Sequence, residues 1–310
     1  MSCSVPLVTI VIPTFNHADF LAQAIDSVLD QDYSNIELIV IDDGSQDNTL
    51  EILQSHPRRA EFRWFTQANS GQSIALNRGW NIGTGDILGY LSADDILYTK
   101  AVSSLVKSLA DNSDAVLSYG NFHLIDNHSS VIRKVYAPQF DYCKMVTEFI
   151  CAPGVGALFW RDPFRKAGGW SPSTHRFPDL ECWIRLGIHG KFIKTEDFVG
   201  AFRIHDTSQS FSYTPENRAL EAITIIRDYY QNIGGIPLEI LSKKKYAIAN
   251  AYLIVAQLGL RSGRYLSSLR YILTAITLAP KSIFHLRVIR MLLNGLFNKA
   301  FHRLLRFIRH

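Results

Sequence analysis

IELIVIDDGSQDNT, residues 36–49, decides the fold. Five of its first seven residues are apolar, and the run breaks into Asp42, Asp43 and Gly44. An almost unbroken apolar run of this length reads as a strand covered on both faces, as in parallel sheets. Asp42 and Asp43 at its end read as acceptors for a ligand's N–H and O–H groups, or as Asx-turn caps ahead of the next helix. DILGYLSADDIL, residues 86–97, repeats the arrangement with Asp94 and Asp95.

Outward from these strand ends, the first 120 residues alternate strand and helix signals. LVTIVIP reads as a strand. ADFLAQAIDSVLDQ places Phe20, Leu21, Ala24, Ile25, Val28 and Leu29 at helical spacing. The alternation predicts an α/β domain with a mostly parallel sheet flanked by helices. Ligands of such sheets bind beyond the carboxyl ends of the strands, where both acidic pairs fall. Residues 121–213 are less periodic and read as the other half of the same domain. We expect that domain over 1–215 and a helical C-terminal region over 216–310. Within it, residues 251–280 resemble a single tetratricopeptide unit, in a hairpin over about 247–280. In the tail, 281–310, the apolar stripe Ile289, Leu292, Leu293, Leu296, Phe297, Ala300, Phe301, Leu304, Leu305 and Ile308 leaves Lys299, Arg303 and Arg306 largely outside it. Such a helix lies on an anionic membrane surface or packs on the hairpin.

With 310 residues, 47% hydrophobic and 19% charged, the chain has enough apolar material for a large core. Neither the apolar run after Val5 nor Tyr246–Leu260 is long enough to span a bilayer, so no transmembrane segment is expected. Cys3, Cys143, Cys151 and Cys182 lack metal-ligand spacing and suit reduced thiols in the cytoplasm. From Ile240 to His310 there is no Asp or Glu but thirteen of the 32 Lys and Arg; the other 19 face 28 acidic residues, a net of −9. An acidic body with a basic end fits an anionic partner for that end. Neither GxGxxG after the first strand nor GxxxxGK[ST] anywhere is present, which argues against a dinucleotide dehydrogenase or a P-loop phosphotransferase. The basic end carries no nucleic-acid motif, and no nucleic-acid partner is expected.

In order and spacing, VTIVIPTFNHADFLAQAIDSVLDQ, ELIVIDDGSQDNT, QANSGQSIALNRGWNIGTGDILGYLSADD, AGGW, PDLECWIRLG and FRIHDTSQS resemble glycosyltransferase family 2, inverting nucleotide-sugar transferases of the GT-A fold. The resemblance covers about residues 8–213. It implies that Pro13, Phe15 and Asn16 flank the nucleotide base, with Phe15 against the ring. Asp43 matches the carboxylate that accepts from uracil, while Asp42 orients the loop. Asn69, Gln72, Asn77 and Arg78 fall near the donor. LSADD matches the DxD region, with Ser92 where an Asp is usual; it implies Asp95 as metal ligand and Asp94 at the ribose or donor sugar. His205 completes the metal shell or touches the diphosphate, and Arg203 helps neutralise it. In PDLECWIRLG, Asp179 falls at the catalytic base, with Pro178 in place of the usual Glu and Glu181 in reserve.

The resemblance implies a hexosyltransferase-like enzyme using Mn²⁺ or Mg²⁺, with a UDP-sugar favoured as donor and a saccharide or lipid-linked hydroxyl as acceptor. The expected setting is cell-surface polysaccharide or glycolipid synthesis, cytoplasmic or peripheral at the inner face of the membrane. Ser92 and Pro178 leave a second reading open: a non-catalytic nucleotide-sugar-binding member of the same fold.

Overall fold

The computed structural model describes residues 5–205 and 213–296. The chain divides into two compact units. The first holds Met1–Phe140, Cys151–Ser173 and Arg185–Ser208; the second holds Asp141–Ile150, Thr174–Ile184 and Gln209–His310. The C-terminal region expected from 216 is thus joined by two earlier segments, one of which carries Asp179.

In chain order the elements begin β1 (Val8–Thr14), α1 (Ala18–Leu29), β2 (Ile36–Asp42), α2 (Thr49–Ser55), β3 (Arg63–Thr66), α3 (Gln72–Ile82), β4 (Ile87–Tyr90), β5 (Ile96–Leu97) and α4 (Ala101–Ala110). Next come β6 (Ala115–Ile125), β7 (Val131–Val135), α5 (Tyr142–Glu148), β8 (Leu158–Trp160), α6 (Arg161–Ala167), α7 (Pro178–Leu186) and β9 (Lys191–Arg203). The sheet order is β3-β2-β1-β4-β8-β6-β9-β5, with β7 also on β6. Strands β1 to β4 form the parallel sheet read from the sequence. Strand β8 runs antiparallel to β4 and β6, and β5 antiparallel to β9, so the whole sheet is mixed.

The two faces of β1 show how the layers form. Val8, Ile10 and Ile12 belong to one apolar cluster with Leu21, Ile25 and Val28 of α1 and Val102, Leu105 and Leu109 of α4. Val11 faces the other way, where α3 comes so close that a Cβ on Gly79 would lie 2.4 Å from the Val11 methyl. Both faces being covered, β1 is buried along its whole length. Thr14 and Asp42 are register partners, as are Val11 and Tyr90, so the loops after β1, β2 and β4 emerge together at one sheet edge.

The second unit continues with α8 (Glu216–Ala219), α9 (Glu221–Asn232), α10 (Leu238–Ser242), α11 (Lys244–Arg261) and α12 (Tyr265–Leu278), and 286–296 are helical. The expected hairpin is α11 with α12, where a Cβ on Gly259 would meet Ser268 Oγ at 2.3 Å. Ala249, Leu253, Ala275 and Val288 form its core, with Met291 and Leu292 packed against them. Of the tail's stripe, Ile289, Leu293 and Leu296 are exposed while Leu292 packs inward; 297–310 lie outside the described residues. No helix among the described residues is long and apolar enough to cross a membrane. Among the described residues, Cys143, Cys151 and Cys182 form no disulfide, and Cys3 lies outside them.

Candidate active site

The two aspartates after β2 do different work. Asp42 is fully buried; its carboxylate accepts from Ser45 N–H at 3.1 Å and Thr66 Oγ1 at 2.8 Å, which closes the loop. Asp43 accepts from Gln67 Nε2 at 2.7 Å, Ser70 N–H at 2.9 Å and Gly71 N–H at 2.7 Å, the last at the start of α3. Gly44 makes this possible: its φ is +79°, and a Cβ there would lie 3.0 Å from Asn69 N. The neighbouring loop is laced to this one. Asn16, at φ 56°, donates its N–H to Ser45 Oγ at 2.9 Å and accepts from Gln46 N–H at 2.7 Å. Ala18 N–H, at the start of α1, donates to Asp47 at 3.0 Å. Pro13 is buried in β1 beside Ile41, and Phe15 is exposed at the loop's edge.

After β4, a turn closed by Asp95 N–H to Ser92 O sends the second pair in opposite directions. Asp95 is buried and accepts from Arg203 N–H at 2.9 Å. Burial, reinforced by the charge of Asp94, pushes its carboxyl well above the usual carboxylate range, against the Arg203 N–H and guanidinium. Asp94 faces His205 instead, Oδ2 to Nε2 at 2.8 Å. His17, which precedes α1 without capping it, completes a group: one ligand atom each from His17, Asp94 and His205 lie within 4.8 Å of one another. The carboxylate read from the sequence as metal ligand, Asp95, is not in that group; Asp94, read as a sugar contact, is. The group fits a divalent cation, since His17 Nδ1 is buried with no hydrogen-bond partner among the described residues.

Arg203 is not a phosphate ligand in this arrangement. It is 1% exposed and donates to Asp94 O at 2.8 Å, Asp126 O at 2.8 Å, Ser129 Oγ at 3.1 Å and Gln23 Oε1 at 2.6 Å. Its Cζ lies 4.7 Å from the Phe20 ring centroid. Asn77 is similarly engaged, donating to Trp170 O at 2.7 Å and accepting from Trp170 N–H at 3.1 Å. Arg78 donates to Thr66 O at 2.9 Å and Gln67 Oε1 at 3.1 Å. Since Gln67 donates in turn to Asp43, Arg78 reaches the acidic loop through an amide relay. Gln67 and His17 are the participants that sequence reasoning missed; the only signal was an imidazole directly after Phe15 and Asn16.

Asp179 lies in the first turn of α7, whose first residue is Pro178, as the sequence suggested. Its Oδ1 accepts from Leu180 N–H at 2.8 Å. Burial pushes its carboxyl up, opposed by the backbone N–H groups of Leu180 and Asp179 and by the Arg176 charge. Glu181 sits in the same turn. Asp179 belongs to the second unit and the His17, Asp94 and His205 group to the first.

Helices cover a sheet whose strand ends gather carboxylates and imidazoles, the place where open α/β sheets bind ligands. Residues 9–205 match the family described as glycosyl transferase family 2, and the chain belongs to that family. It is a glycosyltransferase of the GT-A fold. An uncharacterized glycosyltransferase of Rickettsia typhi is 30% identical over 228 residues, 70% of each chain. Another, from Rickettsia felis, is 40% identical over 134 residues, 42% of this chain but only 22% of that longer protein. Among solved structures, TarS 1–349 of S. aureus in complex with UDP-GlcNAc superposes with a TM-score of 0.58 at 13% identity, over 89% of this chain and 91% of that one. The mannosyltransferase PcManGT from Pyrobaculum calidifontis, in complex with GDP-Man and Mn²⁺, gives 0.58 at 17% identity over 95% and 88%.

Proposed function

We propose that this chain is an inverting, metal-dependent transferase that moves a sugar from a nucleoside diphosphate, with UDP-sugars favoured, to a hydroxyl of a saccharide or lipid-linked acceptor. The reading places it in cell-surface polysaccharide or glycolipid synthesis at the inner face of the membrane. The observation that carries it is the group of His17, Asp94 and His205 in the same unit as Asp43. The nucleotide sugars bound by TarS and PcManGT support the donor class.

His17, Asp94 and His205 hold the cation, and two imidazoles with one carboxylate suit Mn²⁺ better than the all-oxygen shell Mg²⁺ prefers. When bound, the cation supplies positive charge against the diphosphate leaving group. Asp43 orients the base: three of its roughly four acceptor positions are taken, and the remaining one receives the uracil N–H. Phe15 lies against the ring, and Asn16 fixes the loop that presents it. Asp179 takes the proton of the acceptor hydroxyl as that oxygen bonds to the anomeric carbon from the face opposite the leaving group. The carbon–diphosphate bond breaks, the nucleoside diphosphate leaves, and the anomeric configuration inverts. The upward push on the Asp179 carboxyl makes it a stronger base than an exposed carboxylate.

A thermal-shift screen of uridine and guanosine diphosphates and their sugars, with and without Mn²⁺, tests the reading. A donor at 100 times its dissociation constant stabilises by about 2.7 kcal/mol. Stabilisation by UDP-sugars that requires Mn²⁺ is expected. If no nucleotide sugar shifts the transition, the reading fails.

A further inference from the structure

We propose that the helical unit carries a docking face for an anionic lipid surface, formed by the outward leucines of α12 and of residues 286–296 together with exposed cations beside them. Leu266, Leu269 and Leu273 are 81%, 54% and 53% exposed. Spaced by three and four residues, they form one stripe along α12, while Ser268 and Ala275 of the same helix are buried. The next segment repeats the pattern: Phe284, Leu286, Ile289, Leu293 and Leu296 are exposed, whereas Val288 is buried in the hairpin core and Leu292 packs against it. Both helices therefore satisfy their inward faces and still present a second apolar face to water. Two rows of exposed large apolar side chains on successive helices are more than the scattered single residues of an ordinary surface, and mark an interaction surface.

Charge selects the occupant. Among the described residues, Arg287 pairs with Glu148 at 3.0 Å and Lys243 with Glu239 at 2.7 Å. Arg270, Lys281 and Arg290 are exposed, and none of them pairs with a carboxylate among the described residues. The acid bonded to α12, Glu216, accepts from Tyr271 Oη at 2.7 Å. A second copy of this face would set cation against cation, because no acid occurs from Ile240 to His310. The chain's own residues 297–310 add four more cations, Lys299, Arg303, Arg306 and Arg309, and no acid. An anionic bilayer answers both features: leucines enter the headgroup boundary and the cations meet lipid phosphates. This face deepens the lipid-linked acceptor reading and rests on it for its purpose.

The test is co-sedimentation of the full chain with phosphatidylcholine vesicles, with and without phosphatidylglycerol, over a salt series. Partition onto the anionic vesicles alone, falling as salt screens the charges, is expected. Replacing Leu266, Leu269 and Leu273 by Asp should lower that partition about tenfold or more, with the melting temperature unchanged because the three are exposed. Arg270→Glu with Arg290→Glu, a second and independent variant, should do the same. No partition at low salt, or wild-type partition of both variants, overturns the proposal. A concentration-dependent dimer in sedimentation that the leucine variant abolishes also overturns it, in favour of a second copy. Stabilisation by UDP and Mn²⁺, measured without vesicles, separates a failure of this proposal from a failure of the donor reading.

Discussion

Asp94 and Asp95 are adjacent, yet one faces an imidazole and the other the backbone of β9. The sequence reads "two carboxylates at a strand end"; which one faces outward depends on the sense of a single turn, which composition does not encode. Substitutions should separate them. Asp95→Ala leaves the buried Arg203 N–H without its acceptor and should destabilise the fold by about 1–3 kcal/mol, while Asp95→Asn keeps an acceptor oxygen and Mn²⁺ affinity. His17→Ala and Asp94→Ala should instead weaken Mn²⁺ binding about tenfold or more with little change in melting. Calorimetric titration with Mn²⁺, set beside denaturant melts, reads both quantities. Asp179 is a different case. Its folded carboxyl titrates above its unfolded value, so its contribution to stability is present below the ordinary carboxylate pKa and is lost as pH rises through the raised one. Asp179→Asn should therefore melt no lower than wild type at neutral pH while turnover falls by roughly 10² or more. Turnover of the wild type should drop as pH falls through that raised value, and a pH–rate profile with matched melts decides it.

At the scale of elements, the loops after β1 and β2 act as one piece because each supplies the other's polar partners. Helix α1 gets no cap from its preceding residue, His17; Asp47, from the other loop, receives the Ala18 N–H and also binds Thr49 N and Oγ1. Asp47→Ala should destabilise by about 1 kcal/mol, as loss of a helix cap does, and should also weaken UDP binding through the loosened Asn16; equilibrium melts and a UDP titration check the pair of effects. The parallel strands were legible because burial on both faces makes them apolar runs. Strand β8 was not, being only the three residues Leu158–Trp160. Nor was β9, whose polar Lys194–Asp197 stretch coincides with register shifts against β6 that spoil any simple alternation. His17 escaped notice because a lone imidazole has no spacing partner; Asp94 and His205 reach it only through the fold.

For the molecule as a whole, charge and structure divide along similar lines: Asp42, Asp43, Asp94 and Asp95 belong to the first unit, and the acid-free stretch from Ile240 to the second, with Asp179 the exception. The sequence placed that division near 215 but could not show that 141–150 and 174–184 belong with the helices, because the pairing is made by packing between segments far apart in the chain. In hydrogen exchange, UDP with Mn²⁺ should protect backbone amides around 13–17, 42–47, 66–78, 92–95 and 203–205 and leave α11 and α12 unchanged. Protection spread evenly over both units would place the nucleotide elsewhere.

Arg203 gives the site a property that no ligand residue confers. With its backbone N–H on Asp95 and its guanidinium on Asp94 O, Asp126 O, Ser129 and Gln23, it bolts the turn carrying Asp94 to the strand end carrying His205. The frame is held by neutral acceptors and a buried carboxylate, and none of these bonds uses the Asp94 carboxylate or the His17 and His205 rings. On the proposed reading, a divalent cation should load as a plug-in event on a finished socket, unlike in small metal-folded domains that collapse under chelators. Stripping with EDTA should lower the melting temperature only by what mass action predicts from the Mn²⁺ dissociation constant, and circular dichroism should not change. Reloading should follow diffusion and dehydration of the ion, with no slow folding phase, so that one preparation can be cycled through several divalent ions and compared on the same folded protein.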